Sequence, residues 1–186
     1  MNVLLGISGG IAAYKACDLI TGLKANGHDV RVIMTKHAKE FITPMTVATL
    51  STHPVMDNMW AEIKGNVEHI DTAKWTEVFI VYPATANIIA KFANGIADDL
   101  LSTVYLALPK TVQKFVFPAM NTNMLMHPAT LRNIRRIVDD GVFVADTRTS
   151  KLACGDVGKG AVLSPRDAVE CVFTIPLERA KWNIMI

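Results

Sequence analysis

Five short apolar runs, separated by stretches with helical periodicity, constrain this chain more than any other feature. Val3 to Ile7 is followed by Ser8-Gly9-Gly10, the pattern of a buried strand running into a tight turn. Ala12, Ala16, Leu19, Ile20 and Leu23 recur at helical spacing, and Asn26-Gly27 supplies a stop. Val30 to Met34 predicts a second strand, followed by a helical stretch from about Lys36 that Pro44 interrupts. Val78 to Tyr82 predicts a third strand ended by Pro83, Phe115 to Phe117 a fourth and Val142 to Ala145 a fifth. Ile88 to Ala93, Leu100 to Leu108 and Leu131 to Val138 read as helices between them. Such alternation predicts an α/β domain with an open parallel sheet and helices on both faces.

Composition supports that reading and removes several alternatives. At 186 residues the chain suits one domain, and 51% hydrophobic residues suffice to cover both faces of a sheet. Lys+Arg is 19 against 17 for Asp+Glu, so the net charge of +2 makes no global case for nucleic acid or an acidic membrane. Met1-Asn2-Val3-Leu4-Leu5-Gly6 lacks the basic lead and long apolar run of a secretory signal. No stretch approaches the roughly 18 apolar residues of a membrane helix. Cys17, Cys154 and Cys171 are odd in number and lack metal-ligand spacing. Reduced thiols in a cytoplasmic compartment are therefore expected, with Cys17 and Cys171 as helix-borne core filler.

Ligands of open parallel sheets bind beyond the carboxyl ends of the strands. Those ends carry the unusual sequences here, so four of them are expected to converge on one crevice. In Gly6-Ile7-Ser8-Gly9-Gly10-Ile11, the glycines would let backbone approach a phosphate at a helix N-terminus; a merely structural turn is the alternative. The Gly-x-Gly-x-x-Gly spacing is missing and no acidic residue closes the second strand, so a mononucleotide phosphate fits better than a dinucleotide. Thr35, before Lys36 and His37, offers a hydroxyl to a phosphate or ring edge, or else caps a helix. Pro83-Ala84-Thr85-Ala86-Asn87 is small enough to approach a flat ligand, and Thr85 and Asn87 can hydrogen-bond its heteroatoms. Asp98-Asp99-Leu100-Leu101-Ser102-Thr103 places hydroxyls at another helix start, where the carboxylates are expected to cap.

Three further residues could carry chemistry. Asn121, in Pro118-Ala119-Met120-Asn121, could bind a carboxylate through its NH2 without neutralising it, or else stabilise a turn. His69, in Val67-Glu68-His69-Ile70-Asp71, is the candidate base, with an ordinary surface histidine as the alternative. Lys151 to Gly160 reads as a mobile glycine-rich loop over an anionic ligand rather than a packed element. Cys154 in that electropositive loop is the thiol placed to react, and closure of the loop would exclude water.

Together, Gly6 to Lys15, His69-Ile70, Pro83 to Asn87, Pro118 to Asn121 and Leu152-Ala153-Cys154-Gly155-Asp156 resemble, in order, the flavin-dependent cysteine decarboxylases over about residues 1 to 175. The resemblance implies a Rossmann-like or flavodoxin-like fold and FMN. The cofactor would be held by Gly9, Gly10 and Ile11, by Thr35, Lys36 and His37, by Thr85, Ala86, Asn87 and Ile88, and by Ser102 and Met120. It makes His69 the catalytic base, Asn121 the carboxylate-binding group and Cys154 the proton donor, with Lys151 and Ala153 touching substrate in a closing clamp. The implied substrate is 4'-phosphopantothenoylcysteine of coenzyme A biosynthesis. Oxidation of its thiol-bearing carbon gives a thioaldehyde, CO2 leaves with formation of an enethiolate, and re-reduction gives 4'-phosphopantetheine.

Two alternatives stay open within that resemblance: a decarboxylase of a peptide C-terminal cysteine that stops at the enethiol, and a non-catalytic regulatory flavin-binding protein. The cysteine clamp and the absence of an acidic tail weigh against them. Trimers, or dodecamers built from trimers, are also implied, with FMN near a subunit interface. Thr85 stands where Ser is frequent in the family, and Ala161-Val162 where bacterial relatives often have Arg-Met, leaving Lys159 as a substitute for holding substrate phosphate. The expected domain is 1–178. Lys181-Trp182-Asn183-Ile184-Met185-Ile186 starts like a new strand, as a fused phosphopantothenate–cysteine ligase begins in bifunctional relatives.

Overall fold

The computed structural model describes residues 1–60, 68–151 and 157–174. Within them β1 (Asn2–Ile7), β2 (Asp29–Met34), β3 (Val78–Ala84), β4 (Gln113–Pro118) and β5 (Phe143–Val144) form a parallel sheet in the order β2-β1-β3-β4-β5. Each apolar run is a strand, because a strand covered on both faces shows no polar alternation. The order is that of flavodoxin-like sheets.

The described helices are α1 (Ala16–Ala25), α2 (Pro44–Ser51), α3 (Glu68–Trp75), α4 (Ala86–Asn94), α5 (Leu100–Ala107), α6 (Thr122–Met126), α7 (Pro128–Asp139) and α8 (Pro165–Thr174). Strand alternation divides the core between them. Val3, Leu5 and Ile7 of β1, with Ile80, Tyr82, Phe115 and Phe117, pack with side chains of α1, α2 and α8. Leu4, Phe79, Val81 and Val116 pack with those of α3, α4, α5 and α7. Phe79 is fully buried with ring centroids 6.1 Å from Phe92 and 6.0 Å from Tyr105, which stack on each other at 3.9 Å. Truncating such a ring costs about 3–5 kcal/mol.

Two expectations need correction. Pro44 does not interrupt a helix; it opens α2, where its missing N–H has no partner to lose, and Thr43 caps the helix through the Thr46 N–H at 3.2 Å. The stretch from Lys36 is only a short 3-10 turn, Lys36–Glu40. The glycine-rich segment is also not a loop throughout. Arg148–Lys151 (β6) and Val157–Ala161 (β7) pair as an antiparallel hairpin. Its glycines serve packing: Gly160 has φ +140° and lies where a Cβ would collide with the Met120 carbonyl. Residues 152–156, and the tail that was expected to begin a further domain, lie outside the described residues.

Candidate functional site

The connection after β1 runs through α1 on one face of the sheet, while the one leading into β3 runs through α3 on the other. Strand order reverses between β1 and β3, and at such a point diverging loops leave a crevice. A cavity of about 550 Å³ lies at these strand ends, within the range of small-molecule sites. Its walls are Gly9, Gly10, Ile11, Ala12, Tyr14 and Lys15 after β1, Thr85 and Ala86 after β3, Ala119 to Asn121 with Met124 after β4, and Ser150 with Gly160 to Val162 from the hairpin.

Hydrogen bonds tie these four walls into one rim. The Ser8 hydroxyl donates to the Pro83 carbonyl at 2.7 Å and accepts from the Thr85 N–H at 3.0 Å, joining the first turn to the end of β3. Ala119 N–H donates to the Ala84 carbonyl at 3.0 Å, joining β3 to β4. Met120 N–H donates to the Gly160 carbonyl at 3.0 Å, and the Thr122 hydroxyl to the Lys159 carbonyl at 2.6 Å, joining β4 to the hairpin. Ser8 is 2% exposed, so it holds the rim and does not meet a ligand.

Gly9, Gly10, Ile11, Thr85, Ala86, Met120 and Asn121, all expected from sequence, meet in this one cavity. Gly9 lies so close to the second loop that a Cβ would stand 2.5 Å from His37 Cβ. Thr85 caps α4, accepting from the Ile88 N–H at 3.3 Å. Asn121 caps α6 through Oδ1, which accepts from the Asn123 N–H at 2.8 Å and leaves Nδ2 as the donor end of the amide.

Other expected residues stand elsewhere. Thr35, Lys36 and His37 flank the first turn without lining the cavity, and the Thr35 side chain makes no capping bond. Asn87 is exposed and Ile88 is buried beneath α4. Ser102 does not line the cavity. It is 0% exposed, and its hydroxyl is committed to Asp99 in the capping box that starts α5. His69 is half-buried near the start of α3; only Thr76 and Glu77 separate that helix from β3, so the helix carries His69 towards the rim, yet it does not line the cavity. Lys151 closes β6, while Ala153 and Cys154 lie outside the described residues.

Lys15 and Tyr14 were not singled out as site residues, although their segment was. The chain there is a 3-10 turn, Ile11–Lys15, in which residues three apart stand above one another. That spacing brings both Ala12 and Lys15 to the cavity. Ser150, Ala161 and Val162 arrive only through the hairpin fold, for which local sequence carries no signal.

Charges near the rim are mostly paired. Lys91 bridges Asp98 and Asp99 at 2.6 Å each. Burial favours the neutral acid at Asp99, but hydrogen bonds from Lys91 and Ser102 outweigh it and hold its carboxyl below the usual range. Lys159 lies 3.7 Å from Asp146. Burial likewise drives the Tyr82 phenol far above its ordinary value, and its hydroxyl donates to the Leu163 carbonyl at 2.7 Å.

Among the described residues, the walls thus combine backbone at two turns, the hydroxyls of Tyr14, Thr85 and Ser150, the Asn121 amide and the Lys15 ammonium with otherwise apolar surface. A Cβ at Gly10 would meet only the Thr85 methyl, at 3.8 Å, so the cradle at this turn is open to a ligand. This donor set fits a flat heteroaromatic ring carrying a phosphate.

The chain belongs to the flavoprotein family, whose model matches residues 1–175. More particularly, it is 47% identical over 170 residues to the coenzyme A biosynthesis bifunctional protein CoaBC of Bacillus subtilis, covering 91% of this chain and 41% of that protein. It is 46% identical over 162 residues to the probable phosphopantothenoylcysteine decarboxylase of Streptococcus mutans, covering 87% and 90% respectively. Among solved structures, it is similar to a cysteine-to-serine variant of PPC decarboxylase complexed with pantothenoylaminoethenethiol. That match has a TM-score of 0.82 and 30% identity, with 92% of this chain and 95% of that one covered. The chain spans about two-fifths of the length of the bifunctional relative.

Proposed function

We propose that this chain is an FMN-dependent carboxy-lyase that converts 4'-phosphopantothenoylcysteine to 4'-phosphopantetheine in coenzyme A biosynthesis. One observation carries the reading: three of the segments by which the sequence resembles the flavin-dependent cysteine decarboxylases, Gly6 to Lys15, Pro83 to Asn87 and Pro118 to Asn121, contribute residues to a single crevice at the strand-order reversal. The Streptococcus mutans relative, of matching length, bears the decarboxylase name.

When bound, FMN supplies a reversible two-electron acceptor. Residues of the chain do the remainder. Backbone N–H groups at Gly9, Gly10 and the start of α4 hold phosphate and ring edge. Asn121 presents Nδ2 to the substrate carboxylate; a neutral donor orients the anion without protonating it, so CO2 can depart. His69 takes the substrate proton, and Cys154 returns one in the second half-reaction.

His69 does not line the cavity of its own chain, which supports assembly into the trimers or dodecamers of the resembled family, with one protomer's histidine meeting another's crevice. Ile11, Tyr14 and Met124 at the cavity, 62%, 55% and 51% exposed, are the apolar surface such an interface would cover. A fused or partner phosphopantothenate–cysteine ligase would supply substrate, in the cytoplasm. Among the described residues no helix is long and apolar enough to cross a membrane.

The test is the visible spectrum of the purified protein, followed by product mass after incubation with 4'-phosphopantothenoylcysteine. Flavin bands and the saturated aminothiol are expected. An accumulating enethiol would favour the peptide-type chemistry, and flavin without CO2 release a binding role.

A further inference from the structure

Tyr82 is among the largest fully buried side chains of the protein, and the chemistry above does not use it. Its ring lies on the face of the sheet covered by α1 and α8 and meets Phe117 edge-on, with centroids 5.6 Å apart. Phenylalanine would fill that space equally well, so the hydroxyl is the informative atom. Burial keeps the phenol protonated, and it donates to the Leu163 carbonyl at 2.7 Å. Leu163 is where β7 gives way to α8, next to Val162 and two residues beyond Ala161, both of which line the cavity.

The bonds from the Met120 N–H to the Gly160 carbonyl and from the Thr122 hydroxyl to the Lys159 carbonyl hold β7 from the β4 side, at two adjacent residues. A strand pinned at adjacent points on one side can still swing about them. The Tyr82 bond comes from β3, three residues further on, and fixes the angle. The strand it steadies stands against Asn121, since a Cβ at Gly160 would lie 3.6 Å from the Asn121 carbonyl carbon. The cofactor, by contrast, is assigned to the glycine turn and the start of α4, which Ser8 joins through its own bonds. We propose that Tyr82 is a positioning residue for the substrate: its hydroxyl sets the angle of β7, and with it the cavity wall beside Asn121, without shaping the cofactor's seat. The identity of that substrate rests on the decarboxylase reading.

The test compares flavin-loaded wild type with Tyr82→Phe and Ile80→Val. Ile80 is fully buried on the same strand and face, so Ile80→Val lowers stability while removing no bond to the hairpin. Hydrogen–deuterium exchange reads the hairpin, and steady-state kinetics with 4'-phosphopantothenoylcysteine read the site. In Tyr82→Phe the amides of Val157–Ala161 should exchange roughly 2–10-fold faster than in wild type, the range of one net hydrogen bond. KM should rise by a similar factor, with kcat and the Kd of FMN within about twofold of wild type. Ile80→Val should lower Tm and leave hairpin exchange and KM unchanged. An unchanged exchange or an unchanged KM in Tyr82→Phe overturns the assignment. So does a KM rise shared by Ile80→Val, or FMN affinity lost in step with that of the substrate. Faster hairpin exchange confined to Tyr82→Phe, beside a wild type that releases no CO2 from 4'-phosphopantothenoylcysteine, sinks the decarboxylase reading alone.

Discussion

Replacing Gly9 and Gly10 separately by alanine divides the first turn's structural role from its ligand-binding one. A Cβ at Gly9 stands 2.5 Å from His37 Cβ, 2.7 Å from the His37 carbonyl carbon and 2.9 Å from its oxygen. Two of these are backbone atoms of a loop held by the Thr35 N–H to Ile7 carbonyl bond at 3.0 Å, so no rotamer change relieves the clash. Reaching ordinary contact at about 3.5 Å means moving that loop by close to 1 Å. Overpacking of this kind costs about 1–3 kcal/mol, which in a chain of this size lowers Tm by roughly 2–12 °C. Gly10 is different. Its φ of −167° is open to any residue, and its Cβ meets just the Thr85 methyl at 3.8 Å. Gly10→Ala should therefore leave the cofactor-free protein as stable as wild type, or raise it by about 0.4–1 kcal/mol through the unfolded chain. Thermal melts of the FMN-free protein and of the protein with excess FMN read both effects. At a hundredfold excess over Kd, FMN adds about 2.7 kcal/mol, or roughly 5–11 °C. Gly10→Ala should lose most of that increment with an unchanged starting Tm, whereas Gly9→Ala should begin lower. A full FMN shift in Gly10→Ala would refute backbone contact between cofactor and turn.

Other substitutions probe the rest of the rim. Asn121→Asp keeps the acceptor that caps α6 but sets a negative charge against the substrate carboxylate. Stability should stay within about 0.5 kcal/mol of wild type while CO2 release falls by more than roughly 100-fold, and an active Asp variant would remove the carboxylate role. Asp99→Asn retains the cap and loses the charge that Lys91 meets, a loss on the order of 1 kcal/mol. Because the folded-state pKa of Asp99 is depressed, its contribution is present above the ordinary value of about 3.9 and is lost as pH falls through the folded value. The Tm gap between wild type and Asp99→Asn should thus be open at neutral pH and close in acid; a gap unchanged at about pH 3 would contradict the pairing. Burial pushes the Cys171 thiol up to about 11, so an alkylating reagent at about pH 8 should spare it until denaturant is added, as peptide mass spectrometry can read.

What could be read in the sequence follows from where each signal resides. A strand buried on both faces writes itself locally, as Leu4 and Leu5 show: both are 0% exposed, one packed with α1's cluster and its neighbour with α5's. Gly9, Thr85 and Asn121 were legible for a related reason. Each directly follows such a strand, and the sheet fixes where strand ends go. The hairpin was not legible, because Gly158 and Gly160 look like mobility until Thr122 and Met120 are seen pressed against them. Ser102 shows a further limit of local sequence: a hydroxyl at a helix start suits either a ligand or its own capping box, and the capping bonds to Asp99, whose Oδ1 takes both its N–H and its hydroxyl, become visible only in the fold.

The same distinction locates the chemistry. The strand ends around the cavity are tied together by bonds running from Ser8 to Pro83, from Ala119 to Ala84 and from Met120 to Gly160. Those bonds belong to one chain and exist before any ligand binds, so the part of the site that seats a ring and a phosphate is preorganised within a protomer. His69 is on a helix that shares none of these bonds. The fold therefore separates a rigid rim from the residue proposed as the base. Mixing a His69→Ala protein with an Asn121→Asp protein, each inactive alone, should restore part of the CO2 release if the base crosses between protomers, since some sites then pair an intact histidine with an intact asparagine. Mixed assemblies that stay inactive would require His69 to reach the crevice of its own chain.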